Sequence, residues 1–168
     1  NTSAISGSNE ACVNTTNMVY SVTATGGSKY YWYVPPSLGA ITFGGTINDA
    51  FLIMNAAGAA AADSISVIEQ NSFGCWGDTV KFGLELFNYP PLAVVAGDNP
   101  VCATDAGKVY SVPNNPGSTY NWSVPPGTSI TSFPVTTNQI TVTFGSMSGN
   151  ISVVETNSAG CVTNHTPL

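Results

Sequence analysis

The side chains able to do chemistry are few: one histidine, nine carboxylates, three lysines and four cysteines in 168 residues. Acyl or phosphoryl transfer needs a nucleophile, a base and a group that orients the base. His165 has no such companions at a recognisable spacing and reads as a surface residue. Glu69 and Glu155 sit in matching segments, Ser66-Val67-Ile68-Glu69 and Ser152-Val153-Val154-Glu155. Two carboxylates in equivalent places suit a structural role at a strand end better than an acid/base pair. Asp98, in Gly97-Asp98-Asn99-Pro100, offers an oxygen for calcium, but the setting is that of a turn residue. The carboxylates lack EF-hand spacing, the cysteines form no CxxC, and the glycines form no phosphate loop. The reading is a non-enzyme without catalytic residues, cofactor or metal.

What the chain does show is itself, twice. Gly7, Cys12, Tyr20, Tyr30, Trp32, Val34, Pro35 and Pro36 recur 90 residues later as Gly97, Cys102, Tyr110, Tyr120, Trp122, Val124, Pro125 and Pro126. The match then slips by four. Ser66–Cys75 resumes as Ser152–Cys161, 86 residues on. Solenoid repeats have periods of about 20–50 residues, so this longer period points to tandem folded domains. The expected domains are 1–88 and 92–168, meeting at Asn88-Tyr89-Pro90-Pro91, where two prolines favour an extended link with limited bending.

Domains of about 80 residues are marginal on hydrophobic burial alone. A covalent staple is therefore expected. Each repeat holds one cysteine near its start and one near its end. Pairing Cys12–Cys75 and Cys102–Cys161 makes the repeats equivalent and closes loops of about 60 residues, each worth roughly 4 kcal/mol. Buried free thiols are the alternative. Disulfides imply an oxidising compartment and an exported, extracellular or cell-surface chain. Only 7% of residues are charged and the net charge is −6. That excludes nucleic acid and anionic membrane surfaces as partners, since both select basic patches. There is no run of 18 apolar residues, so no membrane-inserting segment is expected.

The elements that must carry these residues are strands. Met18–Val22, Tyr30–Val34, Val109–Val112, Tyr120–Val124 and Ile140–Phe144 alternate in burial character with period two. Pro35-Pro36 and Pro125-Pro126 end their strands, because proline cannot donate to a ladder. The segments after Asn71 and Asn157 read as turns before the second cysteine of each repeat. About seven short strands per repeat with a central tryptophan predict an all-β chain of two tandem immunoglobulin-like sandwiches. Tyr20, Trp32, Tyr110 and Trp122 are the expected core aromatics. Repeat one runs 11 residues past Cys75 to Leu86, whereas repeat two stops seven past Cys161. Its last strand is expected to be cut short, leaving an edge for further chain or a neighbour to complete.

Gly-x4-Cys-x7-Tyr-Ser-Val, then Tyr-x-Trp-x-Val-Pro-Pro, then Val-x-Glu-x-Asn-x2-Gly-Cys occur in order in both repeats. This pattern resembles the PKD-like domains of large surface and secreted proteins from Bacteroidetes-type bacteria. The resemblance implies an immunoglobulin-like sandwich, export by a type IX route, and a spacer role in adhesins or surface filaments. The Trp-Asp-Phe-Gly-Asp-Gly motif of ordinary PKD domains is absent. Asp63-Ser64-Ile65 and Asp78-Thr79-Val80 look like the O-glycosylation signal of the same bacteria, making Ser64 and Thr79 candidate glycan carriers. A glycan would solvate a surface that has little charge.

Specific function belongs where the repeats differ. Repeat one has Tyr31, Tyr33, Phe51, Leu52 and Met54 where repeat two is mostly more polar. Exposed together they would form an apolar patch for another subunit, a polysaccharide or a neighbouring domain; core variation is the plainer reading. The leading function is a structural spacer or stalk whose partners are neighbouring repeats or like subunits. The alternatives are a carbohydrate-binding module and a subunit of a filament completed by strand addition.

Overall fold

The computed structural model describes residues 1–168 and contains strands but no helix. The chain divides into two compact units, Asn1–Asn88 and Tyr89–Leu168. In the first, one sheet has the order β1-β7-β6-β3 and the other β2-β5-β4. The strands are β1 (Glu10–Cys12), β2 (Met18–Ser21), β3 (Lys29–Tyr33), β4 (Gly39–Gly44), β5 (Phe51–Ala56), β6 (Ala61–Gln70) and β7 (Val80–Phe87). All pairings are antiparallel except β1 with β7. The alanine-rich stretch Ala56–Ala62 spans the junction of two strands. It ends β5 and starts β6, carrying the chain from one sheet to the other.

The second unit repeats the plan. Its sheets are β10-β11-β8 and β13-β12-β9. The strands are β8 (Lys108–Ser111), β9 (Thr119–Ser123), β10 (Ser129–Ile130), β11 (Gln139–Thr143), β12 (Ser152–Thr156) and β13 (Val162–Asn164).

Each unit closes a core of its own between its two sheets. Tyr20, Leu52 and Met54 from one sheet meet Tyr30, Ile65, Val67, Leu84 and Leu86 from the other. Tyr110, Ile140 and Val142 meet Tyr120, Trp122, Ile151 and Val153 in unit two. The repeated residues now have physical reasons. A Cβ on Gly7 would lie 2.3 Å from the Tyr20 ring, and one on Gly97 2.2 Å from the Tyr110 ring. Only glycine lets the chain cross these rings. The Tyr20 and Tyr110 hydroxyls then donate to the carbonyls of Ser8 and Asp98, each at 2.8 Å. Trp32 and Trp122 donate from Nε1 to the carbonyls of Asp49 (2.9 Å) and Thr137 (2.8 Å). Trp32 is only partly buried.

The last strand of repeat two, β13, has three residues against the eight of β7. Beyond β13, Leu168 and Ile151 exchange backbone hydrogen bonds of 3.1 Å, and Thr166 pairs in parallel with Val94. The strand is short, but the chain's own residues hold this segment on both sides. Strand completion by a neighbour is not required there.

The cysteines also differ. Cys12 and Cys161 are disulfide-bonded, whereas Cys75 and Cys102 are exposed thiols. The pairing Cys12–Cys75 and Cys102–Cys161 is therefore not formed, and the register shows why. Cys12 lies opposite Phe87, just beyond the Leu86–Ala61 pair that opens β6. Cys75 is hydrogen-bonded to Asn71, just beyond the other end of β6. Ten residues of extended strand at about 3.3 Å each separate them by roughly 30 Å. A disulfide needs Cα atoms within about 7 Å.

Candidate functional site: a buried carboxylate–histidine cluster and an aromatic face

The only histidine is not on the surface. His165 is 4% exposed and Glu155 is fully buried. The last strand brings the imidazole under the sheet, where its Nε2 lies 2.9 Å from Glu155 Oε2. Its Nδ1 accepts a 3.1 Å hydrogen bond from the Ala93 N–H. The ring therefore carries its proton on Nε2 and donates it to the carboxylate. Asn115 Nδ2 donates to both Glu155 oxygens, at 2.9 and 3.1 Å, and the Tyr120 hydroxyl lies 3.5 Å from Oε1. Burial pushes the Glu155 carboxyl up. Hydrogen bonds from Ser118, Asn115 and His165 outweigh it and hold the group below the ordinary glutamate value.

This cluster joins the loop before β9, β9, β12 and the chain end within unit two. Its carboxylate and ring are closed to solvent. Its chemistry is cohesion: a desolvated charge kept satisfied by several donors. Sequence reading missed it because the partners of His165 are 10 to 72 residues away. The available signal was period two along Val162-Thr163-Asn164-His165, which puts His165 on the face opposite Val162 and Asn164.

The other candidates disperse. Asp98 is exposed in irregular backbone, and its carboxylate is 2.9 Å from Lys108 Nζ. No three His, Cys, Asp or Glu side chains converge as a metal would require. The expected apolar patch splits across the sheets. Leu52 and Met54 are fully buried core residues, which corrects their assignment to a surface. They alternate with Phe51 and Ile53, which lie half-buried on the outer face of β5. Phe43 joins them there, its ring 6.0 Å from that of Phe51.

Tyr31 and Tyr33 do project outward from β3, on the opposite sheet. Tyr31 packs against Trp76 in a tilted contact, with ring centroids 4.9 Å apart and planes at 51°. Its hydroxyl lies 3.4 Å from Gln70. Trp76, itself 57% exposed, was not among the expected patch residues. Its counterpart in repeat two, Val162, was the signal. Tyr31 and Tyr33 are replaced there by Asn121 and Ser123. One face of unit one is thus an aromatic platform that unit two lacks.

Two sheets enclosing one core, mostly antiparallel strands and a tryptophan on corresponding strands, Trp32 on β3 and Trp122 on β9, define each unit as an immunoglobulin-like β-sandwich. The PKD-like domain family matches residues 1–81 and again residues 89–167, and the chain belongs to that family. No curated protein matches it. Among solved structures, the D00-D0 domain of intimin is similar at 11% identity and a TM-score of 0.41, over 98% of both chains. The mixed-linkage glucan utilization locus protein SGBP-B of Bacteroides ovatus, solved with a mixed-linkage heptasaccharide, is similar at 9% identity and a TM-score of 0.34. That match covers 94% of this chain and 41% of that one. The Yersinia pseudotuberculosis adhesin InvE is similar at 13% identity and a TM-score of 0.36, over 98% and 58%.

Proposed function

We propose that this chain is a non-catalytic spacer of an extracellular adhesin or surface filament. The observation that carries this reading is the closed Glu155–His165 cluster. The one constellation with the residue types of acid/base chemistry is buried and fully engaged in holding a sandwich together. The repeated pairs Gly7–Tyr20 and Gly97–Tyr110 likewise serve packing. The spacer reading expects the native polypeptide, deglycosylated and detected through this segment, to have several times the mass of 168 residues. A native mass equal to that of this chain alone would overturn it.

The aromatic platform favours a second reading, a carbohydrate-binding face in unit one. Sugar rings pack on exposed aromatic faces, and Tyr31, Tyr33 and Trp76 offer such faces in unit one, with the polar Gln70 beside Tyr31. Binding on a glycan array that disappears in Tyr31→Ala and Trp76→Ala would establish it. Retention of binding in both variants would remove it.

Export to an oxidising compartment accompanies either reading. Ser64 and Thr79 remain proposed glycan carriers. Thr79 is exposed just before β7, and Ser64 lies half-buried on β6 opposite Gly83, around which the structure is open. Peptide mass spectrometry of native material should show at least one of them modified; both bare would end the idea.

A further inference from the structure

We infer that Cys75 and Cys102 are the two halves of an inter-repeat cross-link, each bonding the complementary cysteine of another repeat of this kind, supplied by a second copy of the chain. The inference goes beyond the spacer reading and holds equally for a carbohydrate-binding chain.

Geometry within each unit removes the obvious partner. Cys12 and Cys75 lie beyond opposite ends of the ten-residue β6, roughly 30 Å apart. Repeat two has the same arrangement. Cys102 lines a cleft with Pro125 and Gly149, ahead of β12, while Cys161 is tied to Asn157 beyond its end. The five residues of β12 alone span about 16 Å, against the 7 Å or so that a disulfide allows. Every repeat therefore carries a tip cysteine after the Asn turn and a base cysteine at the opposite end. A repeat cannot satisfy both by itself.

Both kinds of position are built to bond, because each is bonded once in this structure. Cys161 is a tip cysteine in a disulfide, and Cys12 is a base cysteine in a disulfide. Their free counterparts sit in the same local frames. Asn71 Oδ1 accepts from the Cys75 N–H at 2.9 Å, and Asn157 Oδ1 accepts from the Cys161 N–H at 2.9 Å. In both turns the asparagine N–H donates back to the cysteine carbonyl. At the base, the carbonyls of Cys12 and Cys102 each accept a 3.2 Å hydrogen bond from the residue three further on. The residue two positions on takes a left-handed conformation in both, Asn14 at φ 61° and Thr104 at φ 67°. Cys75 and Cys102 thus repeat the backbone of a bonded cysteine and differ in being exposed.

A tip-to-base bond is heterologous: it leaves one tip and one base cysteine open on each product. Such contacts propagate as an open chain rather than closing as a dimer. The step joins two thiols as one S–S bond. Two protons and two electrons pass to an external disulfide such as oxidised glutathione, which is reduced to two thiols.

The test uses the folded chain. Maleimide labelling with peptide mapping should find two reactive thiols per chain, at Cys75 and Cys102. Oxidised glutathione should then convert the chain to a ladder of dimers, trimers and longer species on a non-reducing gel, collapsing on reduction. Cys75→Ser or Cys102→Ser alone should give little dimer. Their mixture should give at least tenfold more, with Cys102 of the first linked to Cys75 of the second. The double variant should stay monomeric. The inference is overturned by oxidised chains that stay monomeric with both thiols reactive. Single variants that dimerise as well as their mixture, or mapping that finds Cys75 or Cys102 bonded within one chain, would overturn it equally.

Discussion

Glu69 and Glu155 hold the same place in the two repeats, near the ends of β6 and β12, but their surroundings differ. In unit two the carboxylate is sealed in with His165, Asn115 and Tyr120. In unit one the position matching His165 is Thr79, which is exposed, and the Glu69 backbone N–H donates to the Thr2 hydroxyl at 3.1 Å. The outer faces differ the other way, since unit one carries Tyr31, Tyr33 and Trp76 where unit two carries Asn121, Ser123 and Val162. One repeat invests its distinctive residues in internal cohesion and the other in surface. The shared frame is indifferent to both, because the Gly–Tyr crossing and the tryptophan tie are the same in each.

Four experiments break or sharpen this contrast. The largest effect is expected from His165→Ala. Removing a hydrogen bond to a buried charge and leaving a cavity should cost unit two about 3 kcal/mol, whereas Thr79→Ala should cost unit one under about 0.5 kcal/mol. Hydrogen exchange resolved by peptide reads the two units separately. Equal losses would mean that His165 is no clamp.

Gly7→Ala and Gly97→Ala should show the opposite pattern, equal damage in both units. Forcing a methyl group against a buried tyrosine ring costs about 1–3 kcal/mol. Thermal melts of the two variants should shift alike. A harmless substitution in either unit would show that its ring can move aside.

Trp76→Ala should weaken any glycan bound by unit one by about tenfold, roughly 1.4 kcal/mol, while leaving unit two untouched. Titration calorimetry against array-selected sugars measures this. An unchanged affinity would restrict the platform to packing.

The smallest effect concerns pH. Glu155 is held below its unfolded value, which lies near 4.3. Its contribution is therefore complete above about pH 4.3 and is lost as pH falls through the folded-state value. Unit two should lose exchange protection in that acid range, and Glu155→Gln should flatten the dependence. A wild-type profile that is flat down to pH 2 would contradict the shift.

Legibility followed the range of the interactions. Repeats, strands and the core aromatics Tyr20, Tyr110 and Trp122 were readable because they rest on period two and on residues near one another in sequence. Leu52 and Met54 were misplaced because Phe51–Met54 is apolar throughout. Which of its faces turns inward is set by pairing with β2, where Tyr20 lies opposite Leu52. His165 and the cysteine pairing failed for the same reason, since symmetry between repeats says which positions correspond but not which are close.

By itself, the amino-acid sequence determined that this protein is two copies of an all-β sandwich of low charge. Alternation and turn residues act locally, and a 90-residue repetition needs no structure to be seen. Only the tertiary structure decided that each repeat holds its cysteines at opposite ends, that the single histidine is buried against a carboxylate, and that one face of one unit is aromatic. Those facts depend on sheet register and strand length, which bring together or hold apart residues distant in the chain.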